Sequence, residues 1–160
     1  MRITIVGCGS IGSKLAMAAD EMEEVKSIYL IDSRENLAAD LAAKLTKAVE
    51  VHNVEDELYH CDLVIEAASQ DAARAIIPKV VSRGVDIMVM SVGALVDDAF
   101  RESVVAKAKS CDARIYIPSG AVCGTDGLRS SSIGGLEEVE LITTKGPKSL
   151  AGVDYMIEKG

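Results

Sequence analysis

Ile3-Thr4-Ile5-Val6-Gly7-Cys8-Gly9-Ser10-Ile11-Gly12 is the stretch on which the fold of this chain turns. Arg2 to Val6 is rich in β-branched residues and reads as a short buried strand. Glycines follow at 7, 9 and 12, and Ile11, Leu15, Ala18 and Met22 then recur at helical spacing. A glycine hexad alone is a weak signal, because turns use glycine for purely steric reasons. Its setting strengthens it: a strand precedes it, a helix follows, and Asp32 stands twenty positions after Gly12, at the end of the next apolar run, Ser27 to Ile31. This is the layout of a dinucleotide fingerprint. Gly7 permits the tight turn, Gly9 lets backbone approach a pyrophosphate, and Gly12 lets helix and strand pack closely. The helix N-terminus then holds the anion through free N–H groups and its dipole.

Downstream the periodicities alternate. Leu37, Leu41, Leu45 and Ala48 form the stripe of a second helix, which the Ser33 hydroxyl or the Asn36 side chain is placed to cap. Val49 to His52 reads as a weak third strand and Leu63 to Ala68 as a strong fourth. Asp71 to Arg83 is a helix that Pro78 should kink or shorten, with Gly84 as its C-terminal cap. Asp86 to Val92 is a fifth strand, Phe100, Val104, Ala108 and Cys111 mark another helix, and Arg114 to Ile117 is a sixth strand. Strands alternating with helices imply a parallel sheet covered on both faces by right-handed crossovers, a doubly wound α/β (Rossmann) fold. Residues 1–118 are expected to form this dinucleotide-binding domain. After Pro118 the texture becomes Gly-rich, and residues 119–160 read as the beginning of a second, incomplete α+β domain. It holds a short helix over Leu128 to Ile133 and a lone strand over Glu138 to Thr144. A lone strand is not stable by itself, so this one needs a partner.

Composition agrees. The 160 residues carry 17 Lys+Arg against 25 Asp+Glu, a net charge of −8, and no basic run, which argues against a nucleic-acid footprint. With 49% hydrophobic residues the chain can build a core without staples. The core must be aliphatic, since only 3% of residues are aromatic. Cys8, Cys61, Cys111 and Cys123 lack the pairing or nearby His of a metal site and read as reduced thiols. No signal-peptide pattern or membrane-length apolar run is present, so a cytoplasmic protein is expected.

Asp32 is the expected specificity element: its carboxylate accepts from a ribose 2′-OH and repels a 2′-phosphate, whereas as a mere helix cap it would set no preference. Arg34 can turn to a 2′-phosphate, stack on adenine, or stay solvated. NAD is expected to be preferred and NADP tolerated. Ligands of open parallel sheets bind outside the strand C-termini, where Ala67-Ala68-Ser69, Ser91-Val92-Gly93 and Ser119-Gly120-Ala121 leave room with small side chains. Glu66, inside the fourth strand, reads as a buried structural or positioning carboxylate rather than a catalytic one. His52 and His60 are expected to face solvent, Lys145 and Lys148 are placed either to meet a substrate carboxylate or, more commonly for lysine, to stay solvated, and no catalytic residue or metal ligand is assigned.

The segments Asp62-Leu63-Val64-Ile65-Glu66-Ala67-Ala68-Ser69-Gln70, Met90-Ser91-Val92-Gly93-Ala94-Leu95 and Ile117-Pro118-Ser119-Gly120-Ala121, with Gly134-Gly135-Leu136-Glu137-Glu138-Val139 and Lys148-Ser149-Leu150, carry a more specific signal than the hexad. With them the sequence resembles the L-aspartate dehydrogenases over almost its whole length. The resemblance implies NAD(P)-dependent oxidative deamination of L-aspartate to iminosuccinate, then oxaloacetate plus ammonia, with iminosuccinate feeding NAD synthesis. It also gives residues 119–160 a substrate and dimerisation role and implies a homodimer through Glu138 to Thr144. By the same resemblance Gly7, Gly9, Ser10, Ile11 and Gly12 hold the pyrophosphate, Asp32, Ser33 and Arg34 the adenosine ribose, and Ala67, Ala68, Ser69, Ser91 and Val92 the nicotinamide side. Ala121 matches a family cofactor contact. The family's catalytic histidine motif has no counterpart before Gly160, so a fragment, or a short NAD(H)-binding module without turnover, is the expected alternative to the enzyme. A relative of homoserine dehydrogenase is a further reading, one that shares the glycine turn but is not expected to share the Pro-Ser-Gly-Ala loop.

Overall fold

The computed structural model describes residues 1–49, 51, 58, 60–119, 125–142 and 144. The chain divides into two compact units, Met1–Gly120 and Ala121–Gly160. The first is a six-stranded sheet in the order β3-β2-β1-β4-β5-β6, formed by β1 (Arg2–Val6), β2 (Ser27–Ile31), β3 (Ala48–Val49), β4 (Leu63–Glu66), β5 (Asp86–Val89) and β6 (Ile115–Tyr116). All neighbouring strands are parallel. The helices of this unit are α1 (Ser10–Glu21), α2 (Glu35–Ala42), α3 (Gln70–Val81) and α4 (Asp98–Ser110), with a short 3-10 turn over Val92–Leu95. This is the doubly wound Rossmann arrangement, whose strand order reverses between β1 and β4.

The sheet's period-2 alternation sorts its side chains into two cores. Ile3 and Ile5 of β1, Ile28 and Leu30 of β2 and Ile65 of β4 pack with Ala16 and Ala19 of α1 and Leu41 of α2. Val6, Val64, Ile87 and Val89 pack with Ala73, Ile77 and Val80 of α3 and Val104 and Ala108 of α4. Arg74 of α3 also lies 5.2 Å from the ring centre of Phe100, a cation–π contact joining the two helices of that layer.

Several boundaries differ from the sequence reading. The second helix ends at Ala42, leaving Leu45 in the following turn and Ala48 in β3. Neither Ser33 nor Asn36 caps it: the N-cap is Arg34, with no side-chain bond. β3 ends at Val49, and the rest of the expected third strand lies largely outside the described residues. β4 stops at Glu66 and β5 at Val89, because each chain then leaves its neighbour to form a strand-end loop. Pro78 does not end α3; it falls near the last turn, where one lost N–H bond is outweighed by burial of Ile77, Val80 and Val81. Gly84 closes that end with a φ of 74°, left-handed as expected of a cap.

In the second unit, α5 (Thr125–Ile133) stops at Gly134 and Gly135. The expected strand over Glu138–Thr144 is not formed by its described residues, 138–142 and 144. Val139, Leu141 and Ile142 are exposed, as they must be when no neighbouring strand covers them. Among the described residues no helix is long and apolar enough to cross a membrane.

Candidate functional site

The site grows from the turn after β1. The Gly7 N–H donates to Ile31 O at 2.7 Å, and Ala67 N donates to Val6 O at 2.8 Å, so the ends of β2, β1 and β4 are pinned side by side. Gly7 has a φ of 96°, and a Cβ there would stand 2.6 Å from Ala67 O. At Gly12 a Cβ would lie 1.8 Å from Gly7 O, so helix α1 sits directly on the turn it leaves. A Cβ at Gly9 would meet nothing within 4 Å, because that glycine faces open space. As N-cap of α1 it brings no capping side chain, and the first amides of the helix stay available to an anion. Ser10, Ile11 and Gly12 form that first turn, with Ile11 exposed.

A cavity of about 480 Å³ opens over this turn. Gly7, Gly9, Asp32, Ser33, Arg34, Ala67, Ala68 and Ser69 line it, together with Val6, Ile31 and Ala72, which the sequence reading had not singled out. Ser91 and Val92 lie at the end of the next strand, off this cavity. Ala121, Gly120, His52, Cys123, Lys145 and Lys148 lie outside the described residues. His60 is exposed. A second cavity of about 610 Å³ shares Asp32 but runs between α2 and β3 over a floor of alanines, away from the glycine turn.

Asp32 is not a helix cap. Its Oδ2 accepts from Cys8 N at 2.8 Å, and its Oδ1 accepts from Arg34 N at 2.9 Å and Arg34 Nε at 3.3 Å. Burial pushes this carboxyl up, but the Arg34 and Cys8 N–H donors and the guanidinium together hold it below the usual carboxylate range. Arg34 thus neutralises Asp32 while its own side chain is 65% exposed and able to swing away. Burial, and then the Asp32 charge, push the Cys8 thiol up to about 11, so the turn carries a neutral thiol at physiological pH.

At the other end, Glu66 is fully buried. Its Oε1 accepts from Ala68 N and Ser91 Oγ, both at 2.8 Å, and its Oε2 accepts from Ser91 N at 3.0 Å. Ser69 caps α3, its hydroxyl oxygen accepting from Ala72 N at 3.2 Å. The Gln70 carboxamide packs over Gly93, its nitrogen 2.5 Å from where a Cβ would stand, so a larger residue there would displace the end of that side chain.

A glycine cradle at a helix N-terminus, with a carboxylate at the neighbouring strand end, is the donor set that holds a dinucleotide. Residues 7–118 match the family model described as "Homoserine dehydrogenase, NAD binding domain". The chain belongs to this family. It therefore carries an NAD(P)-binding domain, with the reversal point of its sheet under the glycine turn. It is also 43% identical to the L-aspartate dehydrogenase of Methanosarcina acetivorans over 100% of its own length and 60% of that protein. With the L-aspartate dehydrogenase of Methanothermobacter thermautotrophicus it shares 42% identity over 94% of this chain and 58% of the other. Among solved structures, aspartate dehydrogenase from Thermotoga maritima superposes with a TM-score of 0.59 at 28% identity, covering 81% of this chain and 50% of that one. The resemblance read from the strand-end segments therefore holds. The chain spans about 60% of the length of the curated relatives it matches.

Proposed function

We propose that this chain binds NAD, tolerates NADP, and serves the oxidative deamination of L-aspartate: L-aspartate and NAD⁺ give iminosuccinate, NADH and a proton, and water converts iminosuccinate to oxaloacetate and ammonia. In this reading iminosuccinate feeds NAD synthesis. The observation that carries it is the glycine cradle beside Asp32, open to a cavity and set in a sequence similar to L-aspartate dehydrogenases along its whole length. The cofactor, when bound, supplies the hydride acceptor. The residues supply position: Gly7, Gly9, Ser10, Ile11 and Gly12 hold the pyrophosphate, and Asp32, Ser33 and Arg34 the adenosine ribose. Ala67, Ala68, Ser69, Ser91 and Val92 form the nicotinamide side, and Ala121 adds a further cofactor contact. Residues 119–160 begin the substrate and dimerisation domain. Exposed Val139, Leu141 and Ile142 support a homodimer, and the free thiols Cys8, Cys61 and Cys111 support a cytoplasmic setting.

A second reading, an NAD(H)-binding module without turnover, is favoured by His60, which is exposed to solvent. One titration separates them. NADH is added to the 160-residue chain, and L-aspartate with NAD⁺ is then supplied while absorbance of the reduced cofactor is followed. Binding with turnover is the result expected of the enzyme, and binding without turnover that of the module. No NADH binding overturns both.

A further inference from the structure

We infer that Glu66 positions the nicotinamide wall of the cleft, an assignment that rests on the NAD(P)-binding reading above. Glu66 ends β4, and its last ladder partner is Val89 of β5. Beyond that pair the two strands separate, and the carboxylate takes over where the ladder stops. One oxygen holds the Ala68 N–H and the Ser91 hydroxyl, the other the Ser91 N–H. The three contacts engage two backbone N–H groups and one hydroxyl, so a single side chain satisfies groups from both loops. Among the described residues no cation stands against it.

Packing does not explain the choice of residue. A buried polar side chain is costly to desolvate, and an apolar one of similar volume often serves stability as well or better. What an apolar residue cannot do is tie both strand-end loops to one point. Those loops are where the second half of a dinucleotide falls. The cavity that Asp32, Gly7 and Gly9 line continues to Ala67, Ala68 and Ser69, the loop that Glu66 holds through the Ala68 N–H.

Calorimetric titration of ADP-ribose, NADH and NAD⁺ into the wild-type chain and the Glu66→Gln variant tests the assignment. ADP-ribose lacks the nicotinamide and should bind both proteins within about twofold. NADH and NAD⁺ should each weaken about threefold to tenfold in the variant, through loss of the bonds that hold the two loops together. Equal weakening of all three ligands would make Glu66 merely structural, and unchanged affinities would make it irrelevant; either overturns the inference while leaving cofactor binding intact. A wild-type chain that binds none of the three removes the reading underneath. If Glu66→Gln does not fold, Ser91→Ala removes one of the three bonds and keeps the carboxyl group. That variant should weaken NADH and NAD⁺ alike by about twofold to fivefold with ADP-ribose unchanged, and an unaltered NADH to ADP-ribose ratio overturns the inference.

Discussion

Asp32 and Glu66 stand at the ends of the two strands that flank β1, and each carboxylate accepts three hydrogen bonds. Their surroundings part there. Asp32 borders the cavity, and one of its donors is a guanidinium that is two-thirds exposed. Glu66 does not line that cavity, and its donors are two backbone N–H groups and a hydroxyl fixed by the fold. Equal bonding thus conceals unequal freedom. The Asp32 contacts with Arg34 can be exchanged for a ribose at little cost, whereas those of Glu66 cannot be exchanged without opening the sheet edge. Strand-end carboxylates divide into ligand receptors and scaffold clamps according to whether their donors can leave.

The most severe way to break this comparison is to strike the turn that sets both ends in place. Gly12→Ala puts a carbon 1.8 Å from Gly7 O, and a loss of about 4 kcal/mol or more is expected in urea unfolding. Gly9→Ala, made into open space, should cost about 1 kcal/mol or less while still weakening NADH binding. Next comes the direct contrast. Glu66→Ala strands buried N–H groups and should cost about 3 kcal/mol, whereas Asp32→Ala should cost about 1 kcal/mol, because water at the cavity replaces its oxygens. Asp32→Ala should instead lower NAD affinity more than NADP affinity, and a titration showing unchanged selectivity would erase the distinction between the two acids. The smallest effect is on acid stability. Asp20, Asp32 and Asp62 all sit below their ordinary values in the folded chain. Their contribution is therefore complete above the unfolded carboxyl value of about 3.9 and is lost as pH falls through the lower folded values. Denaturation midpoints measured from pH 6 down to pH 2 should fall below about pH 4, and Asp32→Ala should flatten that fall.

The sequence discloses the two regions unequally as well. β1 and β2 have the same ends in sequence and structure, because glycine and Asp32 punctuate two predominantly apolar runs. The strands beyond the reversal point read two or three residues too long, since Ala67, Ala68, Met90 and Val92 are as apolar as the ladder they leave. No residue type marks where two parallel strands diverge. Glu66 was legible as a buried positioning acid from its place in a strand, but its partners were not: Ser91 is 25 residues away, and only register brings it near. The Arg34 ion pair was missed because three uses of a flexible arginine look alike in one dimension. Asp97 escaped notice as the cap of α4, although Asp97 followed by a helical stripe from Phe100 is a readable signal.

Ser69 joins two selective pressures in one atom. Its oxygen lies in the wall of the cavity and also accepts from the first turn of α3. A hydroxyl that accepts one bond still has a proton to give. A ligand acceptor in the cavity can therefore use that proton without uncapping the helix. The two uses cannot, however, evolve apart: replacing the hydroxyl to retune affinity also removes the cap, and drift at this position faces a penalty from folding even in a descendant that no longer needs the ligand.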